Sequence, residues 1–186
     1  METSIIISGF GGQGTLFAGQ LLAYAALDSG KNVSWIPSYG PEMRGGTAHC
    51  TVIISDEEIG SPIVRNPNIT IALNLPSLDK YEPLIEPGGL MVANESLINR
   101  KVSRNDIDAI HIPASNIAEK IGNVRLANMV ALGAMITYRP VLIIEALKKG
   151  LEDHLPERHK KLLPANYEAL AQGVEYAERM KVESIP

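Results

Sequence analysis

The feature that most constrains this chain is a β-branched run, Ile5-Ile6-Ile7, that stops at Ser8 and gives way to Gly9-Phe10-Gly11-Gly12-Gln13-Gly14-Thr15 before an apolar segment begins at Leu16. Gly9, Gly11 and Gly14 match the spacing G-x-G-x-x-G in the context of strand, then loop, then helix, where that spacing carries meaning. The apolar pattern predicts a helix over 13–29, closed by Gly30 where a helix C-terminus favours glycine. A strand resumes at 33–37. A helix-length crossover implies that the two strands run parallel, so a βαβ unit opens the protein.

Further on, 47–55 reads as a strand, Asp56-Glu57-Glu58 as a turn and 59–64 as a return segment, together a hairpin at the sheet edge. Strands are expected at 69–73, 90–93 and 109–112, with a helix over 77–85 before the Pro87-Gly88-Gly89 turn. After Pro113 the pattern is helical, over 114–121, 125–137, 141–149 and 167–180, with 155–164 as the longest loop. The fold class is therefore α/β: a single Rossmann-like domain over 1–186, with a mostly parallel sheet, an edge hairpin, helices on both faces and a helical C-terminal region. With 186 residues, 45% of them hydrophobic, the chain can bury a sizeable core.

Composition removes several function classes. The most apolar stretch, 16–27, is interrupted by Gly19 and Gln20 and is shorter than the ~20 residues that span a bilayer, so no membrane segment is expected. Met1-Glu2-Thr3 leads straight into a strand without a basic and apolar leader, so a cytoplasmic address is expected. A net charge of −4 with scattered Lys and Arg gives no footprint for a nucleic acid. Cys50 is the only cysteine, so this chain alone cannot ligate an iron–sulfur cluster.

A loop so poor in side chains lets a ligand approach the backbone, and the helix behind it offers unpaired N–H groups to an anion such as a diphosphate. Gln13 and Thr15 add uncharged donors. The same glycines also serve a tight turn and close helix–strand packing, and both readings stand. A nicotinamide site wants an acidic residue about 20 residues on, at the end of the second strand; Val33-Ser34-Trp35-Ile36-Pro37-Ser38 offers none. The Gly-Lys-Ser/Thr ending of a triphosphate loop is also missing.

The second unusual stretch, Ser38 to Cys50, reads SYGPEMRGGTAHC and starts where the second strand ends, on the edge where open α/β sheets bind ligands. Tyr39 can stack or donate, and Arg44 offers a planar fork suited to phosphate beside Gly45 and Gly46. A salt bridge from Arg44 to Glu42 or to a neighbouring subunit is the competing reading. His49 and Cys50 are adjacent in a strand and point to opposite faces, so they form no nucleophile–base pair. His154 and His159 read as solvated loop residues, His111 as a packed or edge histidine, and Cys50 as a small buried residue. Asn74 and Asn94 each close a strand, where turn formation and ligand contact explain them equally. Asn128, in the apolar stretch RLANMVALGAM, needs a partner from backbone, another subunit or ligand.

Three motifs in order, GFGGQGT, SYGPEMRGGTAHCTVIISDEEIGSP and NMVALGA, resemble the gamma subunit of 2-oxoacid:ferredoxin oxidoreductases over about residues 5–150. The resemblance implies oxidative decarboxylation of a 2-oxoacid (pyruvate, 2-oxoglutarate or a branched-chain acid) to its acyl-CoA, with ferredoxin or flavodoxin as acceptor. It implies coenzyme A binding on this chain, with thiamine diphosphate, Mg2+ and the iron–sulfur clusters on partner alpha and beta subunits and a ferredoxin-like delta subunit in some complexes. By motif, Gly9, Gly11, Gly12, Gln13, Gly14 and Thr15 would cradle the diphosphate, and Tyr39, Arg44 and Gly45 would line the adjacent crevice. The form GPEMRGG looks most like subunits of 2-oxoglutarate or branched-chain enzymes. Relatives often carry Asp where Asn66-Pro67-Asn68 ends in Asn68, which puts a carboxylate role there in doubt. No residue shows the pairing of an autonomous catalyst, so no catalytic residue is named. The resemblance leaves two alternatives: a purely structural assembly subunit, and, ranked last, an independent nicotinamide-dependent dehydrogenase.

Overall fold

The structure, a computed structural model, describes residues 1–39 and 47–183. Six strands, β1 (Glu2–Phe10), β2 (Asn32–Tyr39), β3 (Thr47–Ser55), β4 (Ile69–Ala72), β5 (Leu90–Asn94) and β6 (Asp108–Ile112), form one sheet in the order β2-β3-β1-β4-β5-β6. From β1 to β6 neighbours are parallel, while β3 is antiparallel to both β1 and β2.

Two expectations change here. β2 runs in the same direction as β1 but is not its neighbour, because β3 lies between them in register from Glu2↔Ser55 to Phe10↔Thr47. The antiparallel edge is thus β2–β3, and 59–64 forms no strand. With β1 on one side and β2 on the other, β3 has no free edge for a return segment. Gly60 and Pro62 also break the run, Asp56 is tied to Lys31, and Ile63 stays 75% exposed.

Helices cover both faces unequally. On one face, Ile5, Ile7, Cys50, Val52, Ile69, Ile71, Leu90 and Val92 share a core with α1 (Thr15–Asp28), α3 (Ala114–Ile121), α4 (Ala127–Tyr138), α5 (Ile144–His154) and α6 (Leu163–Glu183). On the other, Ala72, Met91 and Ala93 meet α2 (Leu75–Tyr81) through Leu78, with Ile85, Ile98 and Ile107 closing the cluster. Every residue of α4 from Ala127 to Ile136 is buried, as befits a helix held between the sheet and α6. The two helices touch backbone to backbone. A Cβ on Gly133 would strike the Leu170 carbonyl oxygen, and one on Gly173 the Val130 carbonyl oxygen.

The expected loop over 155–164 is instead a 3-10 segment, Glu157–Leu162, followed by the first turn of α6, where Pro164 is tolerated because no helical partner is needed for its missing N–H. The helix expected from 141 starts at Ile144, after an extended Ile143. The connection between β5 and β6 is held by Glu82, whose buried carboxylate accepts from Ser103 N–H at 2.5 Å, Ser103 Oγ at 2.7 Å, Arg104 N–H at 3.1 Å and Arg100 Nη1 at 2.7 Å. Burial alone pushes this carboxyl up; the hydrogen bonds from Ser103, Arg100 and Arg104 outweigh it and hold the group at about 2.

Candidate functional site at the carboxyl edge of the sheet

β1 and β2 end on the same edge of the sheet, since Phe10 pairs with Thr47 and Tyr39 with Ala48. The loop after β1 is a turn closed by Gln13 N–H on the Phe10 carbonyl at 3.1 Å. It enters α1 through Gly14, which sits at φ 74° in the left-handed region and gives the helix no side-chain cap. The first-turn N–H groups of α1 therefore start without the side-chain oxygen that usually serves a helix N-terminus. At Gly12, φ 99°, a Cβ would meet nothing within 4 Å among the described residues. Gly9 is different. A Cβ there would lie 2.5 Å from Gln13 Oε1 and 3.1 Å from Leu73 Cβ, so Gly9 serves packing.

Gln13 and Thr15 both turn inward. Gln13 Oε1 accepts from Phe10 N–H at 2.6 Å and Asn74 Nδ2 at 3.3 Å, while its Nε2 donates to the Leu73 carbonyl at 3.3 Å. Thr15 is 2% exposed. Among the residues expected at the diphosphate, the structure thus brings together a left-handed Gly12 that meets no described atom within 4 Å, a left-handed Gly14 packed against Asn128, a Gln13 side chain spent on the loop's own support and a buried Thr15. Tyr39 closes β2; its side chain, with Arg44 and Gly45, lies outside the described residues.

Beneath the loop runs an amide scaffold that sequence reading singled out residue by residue but not as a unit. Asn74 Oδ1 accepts from Ser77 N–H at 2.9 Å, capping α2, while its Nδ2 reaches Gln13. Asn94 Nδ2 donates to the same Leu73 carbonyl at 3.2 Å and to Ser115 Oγ at 2.9 Å, and its Oδ1 accepts from Ser115 N–H at 3.2 Å at the start of α3. Asn128 Nδ2 donates to the Gly14 carbonyl at 2.9 Å. The available signal was positional: Asn74 and Asn94 stand at or just past the ends of the successive parallel strands β4 and β5.

The remaining polar candidates are structural. Burial pushes the Cys50 thiol up to about 12, and its S–H points at the Thr15 carbonyl 3.4 Å away. His49 faces the other side of the sheet, its ring 5.8 Å from that of Tyr81; burial, then Lys80, lowers its pKa. His111 Nε2 accepts from Val102 N–H at 3.4 Å, and burial lowers this imidazole too. His154 is exposed as expected but is not in a loop: it sits in the last turn of α5, stacked on Tyr24 at 4.2 Å and 2.7 Å from Asp28. Asn68 lies at the opposite edge, accepting from Ser4 N–H at 2.8 Å and donating to Glu86 at 2.7 Å, a two-way task that an aspartate could not perform. A cavity of about 610 Å3 at that opposite edge, lined by Lys31, Asp56, Glu86 and Arg139 among others, is remote from the glycine loop. Among the described residues no three His, Cys, Asp or Glu side chains gather to hold a metal ion, and no helix is long and apolar enough to cross a membrane.

These features define an α/β domain with an open glycine loop at the carboxyl edge of a mixed sheet. The family model described as pyruvate ferredoxin/flavodoxin oxidoreductase matches residues 4–176. A ketoisovalerate oxidoreductase subunit VorA of Methanothermobacter thermautotrophicus is 38% identical over 177 residues, which are 95% of this chain and 36% of that protein, so the chain spans little more than a third of that relative's length. The crystal structure of a keto/oxoacid ferredoxin oxidoreductase gamma subunit from Geobacter sulfurreducens superposes with a TM-score of 0.81 at 32% identity, covering 95% of this chain and 99% of that one. A 2-oxoglutarate:ferredoxin oxidoreductase from Magnetococcus marinus, solved with 2-oxoglutarate, coenzyme A and succinyl-CoA bound, superposes with a TM-score of 0.86 at 26% identity, covering 96% of this chain and 31% of that one. The chain belongs to the pyruvate ferredoxin/flavodoxin oxidoreductase family, in its gamma-subunit branch.

Proposed function

We propose that the whole chain forms one gamma-type domain of a cytoplasmic 2-oxoacid:ferredoxin oxidoreductase acting on 2-oxoglutarate or a branched-chain 2-oxoacid, and that its glycine loop holds the diphosphate of coenzyme A. One observation carries this reading: Gly14 delivers α1 with no side-chain cap at its N-terminus, and near it a Cβ on Gly12 would meet nothing within 4 Å among the described residues. A diphosphate supplies the acceptors and the negative charge that such an end lacks. The relative solved with coenzyme A bound supports the choice of ligand. Arg44, in the adjacent loop, then serves a phosphate better than the acidic residue that a nicotinamide ribose demands.

Coenzyme A supplies the thiol that accepts the acyl group. This chain's part is orientation: it fixes one end of a long ligand so that the thiol meets a centre held by partner subunits. Thiamine diphosphate, Mg2+ and the clusters would belong to alpha and beta partners, with a ferredoxin-like delta subunit in some complexes; one cysteine cannot ligate a cluster by itself. In such a complex ferredoxin or flavodoxin would be the electron acceptor.

Calorimetric titration tests the reading on the chain alone and on the chain co-expressed with its partners. Coenzyme A should bind, adenosine 5′-diphosphate should compete, and pantetheine, which lacks the diphosphate, should not. Absence of binding in both preparations would leave a structural assembly subunit whose loop holds only its own helix.

A further inference from the structure

Asn128 stands 114 residues from Gly14 in sequence, in the first turn of α4, and is 4% exposed within a helix that is otherwise apolar from Ala127 to Ile136. A buried amide destabilises unless both of its ends are used. Both are. Nδ2 donates to the Gly14 carbonyl at 2.9 Å and Oδ1 accepts from Met129 N–H at 2.8 Å, and since one partner is an acceptor and the other a donor, the amide has one orientation. The Gly14 carbonyl also accepts from Ala18 N–H at 3.0 Å.

The fit is reciprocal, because a Cβ on Gly14 would collide with Asn128 Nδ2. Glycine at 14 is needed for the left-handed turn, but glycine also lets the peptide rotate. A rotated peptide would aim the carbonyl oxygen out of the loop, toward the place where an anion needs only donors. The amide of Asn128 opposes that rotation by holding the oxygen inward.

We propose that Asn128 is a positioning residue for the glycine loop: through the Gly14 carbonyl it keeps the mouth of the loop free of acceptors, and so sets the affinity for a diphosphate without touching the ligand. The inference rests on the coenzyme A reading above. In the assembled complex, Asn128→Ala raises the KM for coenzyme A about tenfold, the loss of one good hydrogen bond, and leaves kcat at saturating coenzyme A and the KM for the 2-oxoacid unchanged. Asn128→Asp, which turns a carboxylate oxygen toward the carbonyl, raises it further. Hydrogen exchange, followed without ligand, should speed up at the Gln13 and Ala18 amides in both variants.

Unchanged exchange at these amides would overturn the positioning role, as would equal rises in both KM values, which report general loosening. Coenzyme A that slows loop exchange in the unaltered complex, with its KM unmoved by Asn128→Ala, would overturn Asn128 alone. Coenzyme A that leaves loop exchange untouched in the unaltered complex would overturn the coenzyme A reading itself and this inference with it.

Discussion

At the α4–α6 crossing a Cβ on Gly173 would land on the Val130 carbonyl oxygen and 2.9 Å from the Ala134 amide nitrogen, whereas at Gly12 it would meet nothing within 4 Å. The same residue type is used at both places, for opposite reasons. Between the helices glycine removes a side chain so that this chain's own backbone can fill the space. In the loop it removes one so that the space stays empty. A glycine-rich sequence is therefore evidence of a binding loop only where the fold leaves the vacated volume unfilled, and Gly9, packed against Gln13 and Leu73, shows that even one motif mixes the two uses.

The sharpest way to break the comparison is Gly173→Ala. The clashing atoms are backbone, which no rotamer change relieves, so α4 and α6 must separate. We expect a loss of about 3 kcal/mol, the upper part of the range for overpacking, read as a lower midpoint in urea denaturation. A loss below about 1 kcal/mol would mean that the crossing yields easily and that close approach is not why glycine is there.

The next largest effect concerns a different way of fixing chain without secondary structure. Glu82 holds the β5–β6 connection by hydrogen bonds to a charged carboxylate, and Glu82→Gln should cost about 2 kcal/mol. Its pKa in the folded protein is about 2 against an ordinary 4.5, so the carboxyl binds protons more weakly folded than unfolded. The stability it contributes is present above about pH 4.5 and is lost as pH falls toward 2. Denaturation followed between pH 6 and pH 3 should show a steeper loss in the natural protein than in Glu82→Gln; parallel curves would remove Glu82 as the cause.

How much of this was legible in the sequence follows the same division between local and distant. The run Ile5–Ile7 ending in glycine, the strands over 47–55 and 109–112 and the helix over 114–121 announce themselves, because propensity, periodicity and punctuation agree there. Strand order was not legible. β3 inserts between β1 and β2 through a nine-residue pairing with β1, and although Gly60 and Pro62 weaken the Ile59–Val64 run locally, nothing local points to β1 and β2 as the partners that occupy both sides of β3. At the site, Gly14 could be read from the G-x-G-x-x-G spacing, and Gly12 came only with the motif that carries the resemblance. The inward turn of Gln13 could not, since it depends on Asn74 and the Leu73 carbonyl, brought beside it by the pairing of β1 with β4.

Asn74 is where loop and scaffold meet, and Asn74→Ala tests whether the scaffold matters. The substitution removes the cap of α2 and one partner of Gln13, at about 1.5 kcal/mol, within the range for losing an N-cap. If the loop is supported from beneath, Asn74→Ser, which restores the cap alone, should recover stability in urea while leaving hydrogen exchange at Gln13 fast. Full recovery of both would show that only the cap counts and that the loop supports itself.

The smallest effect on stability is expected at Gly12, and it is the most informative for the comparison. Gly12→Ala meets no atom of the described residues, so its expected structural cost is a side chain at φ 99°, about 1 kcal/mol. Yet the added methyl occupies the space where a ligand would approach the backbone, so coenzyme A affinity in the assembled complex should fall about tenfold. The two readouts separate the uses of glycine. A large stability loss with little effect on binding would place Gly12 with Gly173 as a packing residue. Little change in either would make the loop an ordinary turn. Weakened binding in a protein that denatures almost as before would show that the open space at Gly12 is kept for a molecule that the chain does not itself provide.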